Sequence, residues 1–403
     1  MLANFQREYN INKILLSSIG LWPYQNKLIR YLILIPCFAS EVSYVLLEIL
    51  TLFDYWEDMD IVFEVCYQCV ATSAIIGQIF NVFWQREKIK RMYKAIDNHW
   101  NIFTSKLEVQ TLKDYSNITR KLTFAYTVMI YSMTIIFILA PLTPVFLDMI
   151  HPLNESRSRL FPLTAKFRID DEKYYTQLYC YIVSMIVFSI LGLAASNSTF
   201  LICIIHACSL FSIISQQFEE VIKKLHANKN IRKFGCRMKT KLEFENEQII
   251  YQRYIICLKK YQLALEFVDM LNSAYKIISL ITLLLNGAVV TFIGIIIINV
   301  LDRVREVMRY TFVAIGILIQ LLMLCYSGQK LRDESQNVFY RAYAAEWYKC
   351  SPRLKSLLIV TLYRSVAPCS LTAGNMIPLS IETYGFVVRT AGSYFMTFLS
   401  LKM

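Results

Sequence analysis

Long apolar runs alternate with charged segments along almost the whole chain. A helix needs about 20 mostly apolar residues to cross the roughly 30 Å hydrocarbon layer of a bilayer. Seven stretches reach that length: 28–52, 61–84, 122–150, 178–210, 272–298, 306–325 and 376–400. The fourth is long enough to project beyond the membrane. Between it and the fifth, Ser212 to Leu271 is rich in Lys, Glu and Gln at helical spacing, which predicts extensions of the two flanking helices. Gln329 to Lys349 reads as a shorter amphipathic helix. The pattern predicts an all-α membrane protein with seven transmembrane helices. It divides into an N-terminal segment 1–27, six helices over 28–325, a polar region 326–375, and a last helix with a short tail over 376–403.

Composition strengthens this reading. Hydrophobic residues make up 56% of the chain and charged residues only 18%, with a mean hydropathy of +0.42. Soluble domains carry more charge and less apolar content. The net charge of +12 would suit a nucleic-acid binder, but the basic residues concentrate in alternate loops. Of the 42 Lys and Arg, 31 fall in the N-terminal residues through Arg30 and in loops 85–121, 211–271 and 326–375, against 9 in the opposite set. Basic loops stay in the cytosol, so the N-terminus is expected inside and the C-terminus outside. The first residues lack the apolar core of a cleavable signal peptide, so the first span is expected to act as a signal anchor. The sequon Asn154-Glu155-Ser156 lies in a loop assigned outside, making Asn154 a candidate glycosylation site. The Asn117 and Asn197 sequons fall inside and within a span. A G-protein-coupled receptor has the reverse topology.

Signals for catalysis are absent. His99, His151, His206 and His226 are isolated, and no phosphate loop or G-x-S-x-G is present. The cysteines lie in apolar spans or in loops assigned to the reducing cytosol, which disfavours disulfides. Cys66-x-x-Cys69 has no second pair to complete a metal site. No enzyme activity, cofactor or metal is expected.

Two helical patterns point to other chemistry. In the last span Thr383, Thr390, Ser393, Thr397 and Ser400 follow one another at spacings that share a face. Such a hydroxyl stripe can line a path for partly hydrated cations, and equally it can bond back to the preceding turn or permit close packing. A pore reading requires several subunits around an axis. The outer halves of spans two, three, four and six carry aromatic, thioether and small residues, among them Tyr67, Gln68, Tyr131, Thr134, Met185, Phe188, Ser189 with Gly192, and Phe312 with Gly316. An apolar pocket with few polar groups suits a small volatile molecule; ordinary interhelical packing gives the same pattern. Glu41, Glu48, Glu64 and Glu382 are ionisable groups inside spans, where charge is costly and often functional. Asp54, Glu57, Asp58 and Asp60 make the first outer loop acidic, as a solvated turn or a cation-enriching mouth.

The C-terminal motifs carry a resemblance. Cys325-Tyr326-Ser327-Gly328-Gln329-Lys330-Leu331, Ala345-Glu346-Trp347-Tyr348, Ala373-Gly374-Asn375, Ser380-Ile381-Glu382-Thr383-Tyr384 and Ser393-Tyr394-Phe395 resemble, in order and spacing, the signature of insect odorant receptors. The similarity is specific over roughly the last 80 residues. It implies an odorant-gated, non-selective cation channel of four subunits, with the outer part of the seventh helix lining the pore. It further implies that the 326–375 region belongs to a cytosolic helical anchor. Ser393-Tyr394-Phe395 sets the register, which puts Thr397 where the family has an apolar gate residue and Leu401 at the outer constriction, with Thr390, Ser393 and Ser400 on the same pore face. Tyr67, Gln68, Tyr131, Thr134, Ile138, Met185, Ser189, Tyr310 and Val313 fall near the family's odorant cavity by depth and spacing. The implied partners are a small volatile odorant, co-receptor subunits, permeant monovalent and divalent cations and the lipid bilayer, with no nucleic acid. The implied location is the plasma membrane of a sensory neuron dendrite. The second cytosolic loop is short, as in a tuning receptor. A gustatory-type channel lacks support because Thr383-Tyr384 has no downstream Gln-Phe. A metabotropic chemoreceptor conflicts with the charge-derived topology, and a transporter would show inverted repeats.

The topology is directly testable. An epitope tag at the N-terminus should be reached by antibody only after permeabilisation, and one at the C-terminus in intact cells. Staining of the N-terminal tag on intact cells would reverse the assignment.

Overall fold

The computed structural model describes residues 2–150, 157, 159–164, 166–231, 239–345 and 347–402, with the side chains of 222–247, 349, 401 and 402 left aside. The described residues form twelve α-helices. They are α1 Ala3–Glu8, α2 Asn10–Ser18, α3 Lys27–Asp54, α4 Met59–Trp84, α5 Arg86–Ile102, α6 Lys106–Leu139, α7 Thr143–Ile150, α8 Tyr175–Ile231, α9 Lys239–Asn299, α10 Val304–Ala344, α11 Pro352–Val366 and α12 Ile381–Lys402. A two-stranded antiparallel hairpin, β1 Thr372–Ala373 and β2 Ile377–Pro378, precedes the last helix.

Six helical spans are long and apolar enough to cross a membrane: α3, α4, α6 with α7, α8, α9 and α10. The seventh predicted span corresponds to α12, which has 22 residues, about 33 Å at 1.5 Å per residue, enough for the hydrocarbon layer. Large apolar side chains such as Leu28, Leu32, Ile35, Phe124, Val128 and Ile135 point outward along α3 and α6. Water would penalise so large an apolar surface, and lipid tails would not.

Six of the seven helical spans are longer than their apolar runs, whereas the seventh starts only at Ile381, because Ile377 and Pro378 belong to the hairpin. At 57 and 61 residues, α8 and α9 reach about 85–90 Å, roughly three times the hydrocarbon thickness. This is the extension expected from the polar segment after Ser212. Gln329 to Lys349 is not a separate helix. Its first part continues α10 without a break to Ala344, because no proline interrupts Tyr326 to Ala344 and the single glycine there, Gly328, costs only about 1 kcal/mol. The third span likewise begins earlier than its apolar run, at Lys106. Ser105 there accepts from the Glu108 N–H while the Glu108 carboxylate accepts from the Ser105 N–H, a capping box. Glu108 also receives Lys260 of α9 and Gln217 of α8, so one carboxylate ties three helices at the extension end.

At the core of this end stands α8. From Phe200 to Ile214 it is buried on nearly every side. A helix apolar all round must be enclosed, and α4, α6, α9, α10 and α2 enclose it. Phe5 of α1 packs against Tyr93 of α5, tilted at 4.5 Å between ring centroids, and its N–H donates to Asp97. Tyr93 donates to Thr199 of α8. His99 of α5 and His206 of α8 lie parallel, with Nδ1 to Nε2 at 3.0 Å, both buried. Burial holds His99 well below the ordinary imidazole range, at about 4. The turn Pro23–Gln25 is clamped by Arg86, which donates to the Pro23 carbonyl, and by Arg30, which donates to that of Gln25.

The opposite end carries short turns. Asp58 caps α4, Asp60 accepts from Asn299, and Asp54 pairs with Arg168 at 2.6 Å. Asp54, Asp58 and Asp60 of this loop therefore have structural partners. Phe161, Leu163 and Phe167 fold over Tyr44, Ile182 and Met185 as a roof.

The C-terminal motifs meet in one place. Gly374 and Asn375 both take positive φ in the hairpin turn, which a glycine and an asparagine tolerate. The hairpin is held to α9 by Asn272, which accepts from the Thr372 N–H, and by the Lys276 carbonyl, which accepts from Gly374. Ser380 then caps α12 by accepting from the Thr383 N–H. A Cβ on Gly328 of α10 would lie 2.5 Å from the Leu379 carbonyl oxygen. Gly328→Ala should therefore push the start of α12 outward and destabilise the protein by about 1–3 kcal/mol, as overpacking does. The measurement is thermal unfolding of the purified protein against Gly385→Ala, a position with nothing within 4 Å of the added carbon. Equal effects of the two substitutions would show that the contact is slack.

Candidate functional site

A cavity of about 230 Å³ lies inside the bundle between α4, α6, α8, α9 and α10, with Leu163 of the roof segment above it. Tyr67, Met133, Phe137, Ile186, Ile190 and Val313 give it an apolar upper wall. Such a site binds by shape and dispersion, with a few polar groups setting orientation. Methionines at 129, 133 and 185 are adaptable fillers, and Gly316 leaves room opposite Met133, whose sulfur would lie 3.7 Å from an added carbon.

The residues singled out from sequence divide here. Tyr67, Gln68, Thr134, Met185, Ser189 and Val313 line the cavity. Tyr131, Ile138 and Tyr310 do not. Tyr131 is half-buried against the main core, and its hydroxyl is buried without a hydrogen-bond partner. The Ile138 carbonyl accepts from the Tyr179 hydroxyl, and its side chain packs beside Met185 and Ile182. Tyr310 stands behind Tyr67, edge to face at 6.0 Å. Depth along a helix locates a residue but not its azimuth, and these three point to a neighbouring helix instead.

Most polar lining groups already have protein partners. Gln68 meets the Tyr44 hydroxyl at 3.0 Å. With its amide turned so that both atoms are satisfied, it also donates to the Thr164 carbonyl at 3.1 Å and accepts from the Thr164 N–H at 3.2 Å. It thereby ties the roof to α4. The Ser189 hydroxyl donates to the buried Glu41 carboxylate. The Thr134 hydroxyl returns to the Ile130 carbonyl, and Gln78 donates to Thr282. Tyr126 accepts from Asn197 at 2.7 Å. Gln78, Asn286 and Gln320 were not anticipated. Each is a neutral polar side chain in the middle of an apolar span, and that would have been the signal.

A second site is the exposed side of α12. This helix rests on α9 through two glycines two turns apart: Gly287 faces Val387 and Gly294 faces Phe395, whose Cδ2 would lie 2.9 Å from an added carbon. Phe398 meets Phe63 of α4 at 6.5 Å. Ser393, Thr397 and Ser400 are exposed on the other side, with Thr390 half-buried at its margin. Their hydroxyls do bond back within the helix: Thr390 donates to the Phe386 carbonyl, Thr397 to Ser393 and Ser400 to Thr397. A donating hydroxyl keeps its oxygen lone pairs, so back-bonding leaves an oxygen stripe on the outer surface. Thr383 is instead buried in the cap, donating to the Pro378 carbonyl. Leu401 lies in the last turn, with its side chain outside the described set. Asn154 lies outside the described residues.

The cavity and α12 are physically connected. Tyr67 lines the cavity and touches Tyr310. The Tyr310 hydroxyl donates to Glu64, which pairs with Arg309 at 2.6 Å. Glu64 follows Phe63, the residue against Phe398.

Comparison with known proteins places this architecture. The family model described as 7tm Odorant receptor matches residues 58–392. Among curated proteins, Odorant receptor 2a of Drosophila melanogaster is 23% identical over 179 residues, 43% of this chain and 45% of that one. Odorant receptor 22c of the same species is 24% identical over 48% of this chain and 46% of its own length, so each match spans less than half of the relative. Among solved structures, the insect olfactory receptor OR5 from Machilis hrabei, in complex with eugenol, superposes with a TM-score of 0.79 over 99% of both chains at 11% identity. Its fold is therefore this one. These relatives are receptors rather than enzymes. With the family model spanning most of its length and the same helical architecture from end to end, this multi-pass membrane protein belongs to the seven-transmembrane odorant receptor family.

Proposed function

We propose that the chain is an odorant-detecting subunit that binds a small volatile molecule in the 230 Å³ cavity and gates a non-selective cation channel. The observation that carries this reading is the one-sided packing of α12. Its inner face is seated on α9 at Gly287 and Gly294, while Ser393, Thr397 and Ser400 stay exposed. One helix cannot enclose a path, so the exposed face belongs at an axis shared with other subunits, co-receptor subunits among them. Monovalent and divalent cations crossing there would exchange part of their hydration for hydroxyl oxygens from Thr390, Ser393, Thr397 and Ser400. Neutral hydroxyls discriminate weakly, which fits a non-selective path. Leu401 would form the outer constriction.

Tyr67, Gln68, Thr134, Met185, Ser189 and Val313 would contact the ligand. Tyr131, Ile138 and Tyr310 would act from behind them, by holding neighbouring side chains. The route from Tyr67 through Tyr310, Glu64 and Phe63 to Phe398 supplies a mechanical link between ligand and α12. In this reading the extension end, with α1, α2, α5 and α11, is the cytosolic anchor, and the roof faces outside together with a glycosylated Asn154. The plasma membrane of a sensory dendrite is the corresponding location.

Two measurements test the proposal. Conservative changes at Met185, such as Met185→Leu, should reorder the odorant ranking in recorded currents while surface expression is preserved. An unchanged ranking would remove Met185 from the contact set. A cysteine replacing Thr397 should react with charged thiol reagents mainly while odorant is present, and reaction should reduce current. Cysteines replacing Phe395, which packs on Gly294, should react less. Equal and state-independent modification at both positions would make the stripe a packing face.

A further inference from the structure

The cavity's polar groups are unevenly satisfied. Near the roof, Gln68 and Ser189 are engaged by Tyr44, Thr164 and Glu41. The deep end differs. Gln78 lies ten residues along α4 from Gln68, about 15 Å further from the roof. Its amide donates to Thr282, which fixes the level of α9 there. Asn286 stands one turn from Thr282 on the same helix and is 95% buried, and its Nδ2 has no hydrogen-bond partner. Among the described residues that line the cavity, it is the one buried polar side chain with an atom left unpartnered. A buried N–H without an acceptor is unfavourable, and its neighbours Val289 and Ile317 offer none.

Below this floor lies a second chamber of about 40 Å³ that shares Gln78 and Gln320 with the cavity. Its wall carries the Ser196 and Tyr275 hydroxyl oxygens, both without partners. A polar space of that size accommodates about one or two water molecules. The polarity of the site therefore runs one way, from an apolar roof and wall to a hydrogen-bonding floor.

We propose that Asn286 is the polar anchor of the ligand, its amide N–H donating to a carbonyl oxygen at the floor of the cavity. The ligand class is an oxygenated volatile, such as a ketone, aldehyde or ester, that lies oxygen-down with its hydrocarbon tail among Tyr67, Met133, Phe137 and Val313. A cavity of 150 Å³ holds benzene, so 230 Å³ scales to about nine non-hydrogen atoms. This assignment rests on the receptor reading of the cavity and adds the ligand's chemistry and orientation to it.

The test uses the full-length chain in lipid nanodiscs and four probes of matched size: 2-octanone, octanal, isopentyl acetate and nonane. Binding is measured by ligand-dependent thermal shift, and current is recorded separately in cells with a co-receptor. In Asn286→Leu the three oxygenated probes should weaken roughly three- to tenfold, the worth of one net hydrogen bond, while nonane binding stays the same. Asn286→Ala, which removes the amide without adding a branched chain, should give the same split. If Asn286→Leu does not fold, the alanine variant decides. Equal weakening of all four probes, no change in any, or no binding of an oxygenated probe to the unsubstituted chain would overturn the assignment. Selective binding without current would leave Asn286 as the anchor and defeat the channel reading. Current that is insensitive to Asn286 would do the reverse.

Discussion

Everything in this molecule is arranged around one helix that has no polar face over its middle. From Phe200 to Ile214, α8 is buried on nearly every side, so it must be wrapped rather than merely packed on one side. The wrapping is done by α4, α6, α9 and α10 and, at the extension end, by α2 and by Tyr93 and His99 of α5. Closer to the roof α8 turns smaller and softer residues, Met185 and Ser189 among them, to the cavity, and there the surrounding helices no longer close completely. Tight enclosure at one end leaves a cavity at the other.

The interior polar groups obey a second constraint. In an apolar surround an unpaired donor or acceptor is expensive, and the side chains that face inward are mostly paired across helices. Gln68 is joined to Tyr44 and Thr164, Ser189 to Glu41, Gln78 to Thr282 and Asn197 to Tyr126. These bonds join α3, α4, α6, α8 and α9 around the cavity without filling it. The same economy applies to α12, whose hydroxyls return to their own backbone while the helix leans on α9 through two glycines. The helix is held firmly on one side and left open on the other.

The Glu64, Arg309 and Tyr310 cluster joins these regions. It stands one layer behind the cavity, through Tyr67, and one residue from Phe63, which touches α12. Charged pairs in an apolar surround are held by geometry rather than by large net stabilisation.

The seven spans were legible in the sequence because the bilayer demands about 20 apolar residues in a row, and nothing else in the chain imitates that signal. The odorant receptor family was legible too, in motifs whose structural roles are now visible: Gly328 lets Leu379 approach, Gly374 and Asn375 make the turn, and Ser380 caps α12. Helix ends were less legible. Capping at Ser105 and the unbroken run to Ala344 extend helices well past their apolar cores, and the amphipathic helices α1, α2, α5 and α11 carry no run long enough to stand out. For the cavity, sequence indicated depth, which put Met185, Ser189 and Val313 on its wall. It also suggested Tyr131, Ile138 and Tyr310, which face neighbouring helices. Periodicity records which residues share a face of one helix. Which neighbour that face meets depends on the rotation and crossing angle of five helices at once. Only the tertiary structure could set that, and with it the isolation of Asn286 at the cavity floor.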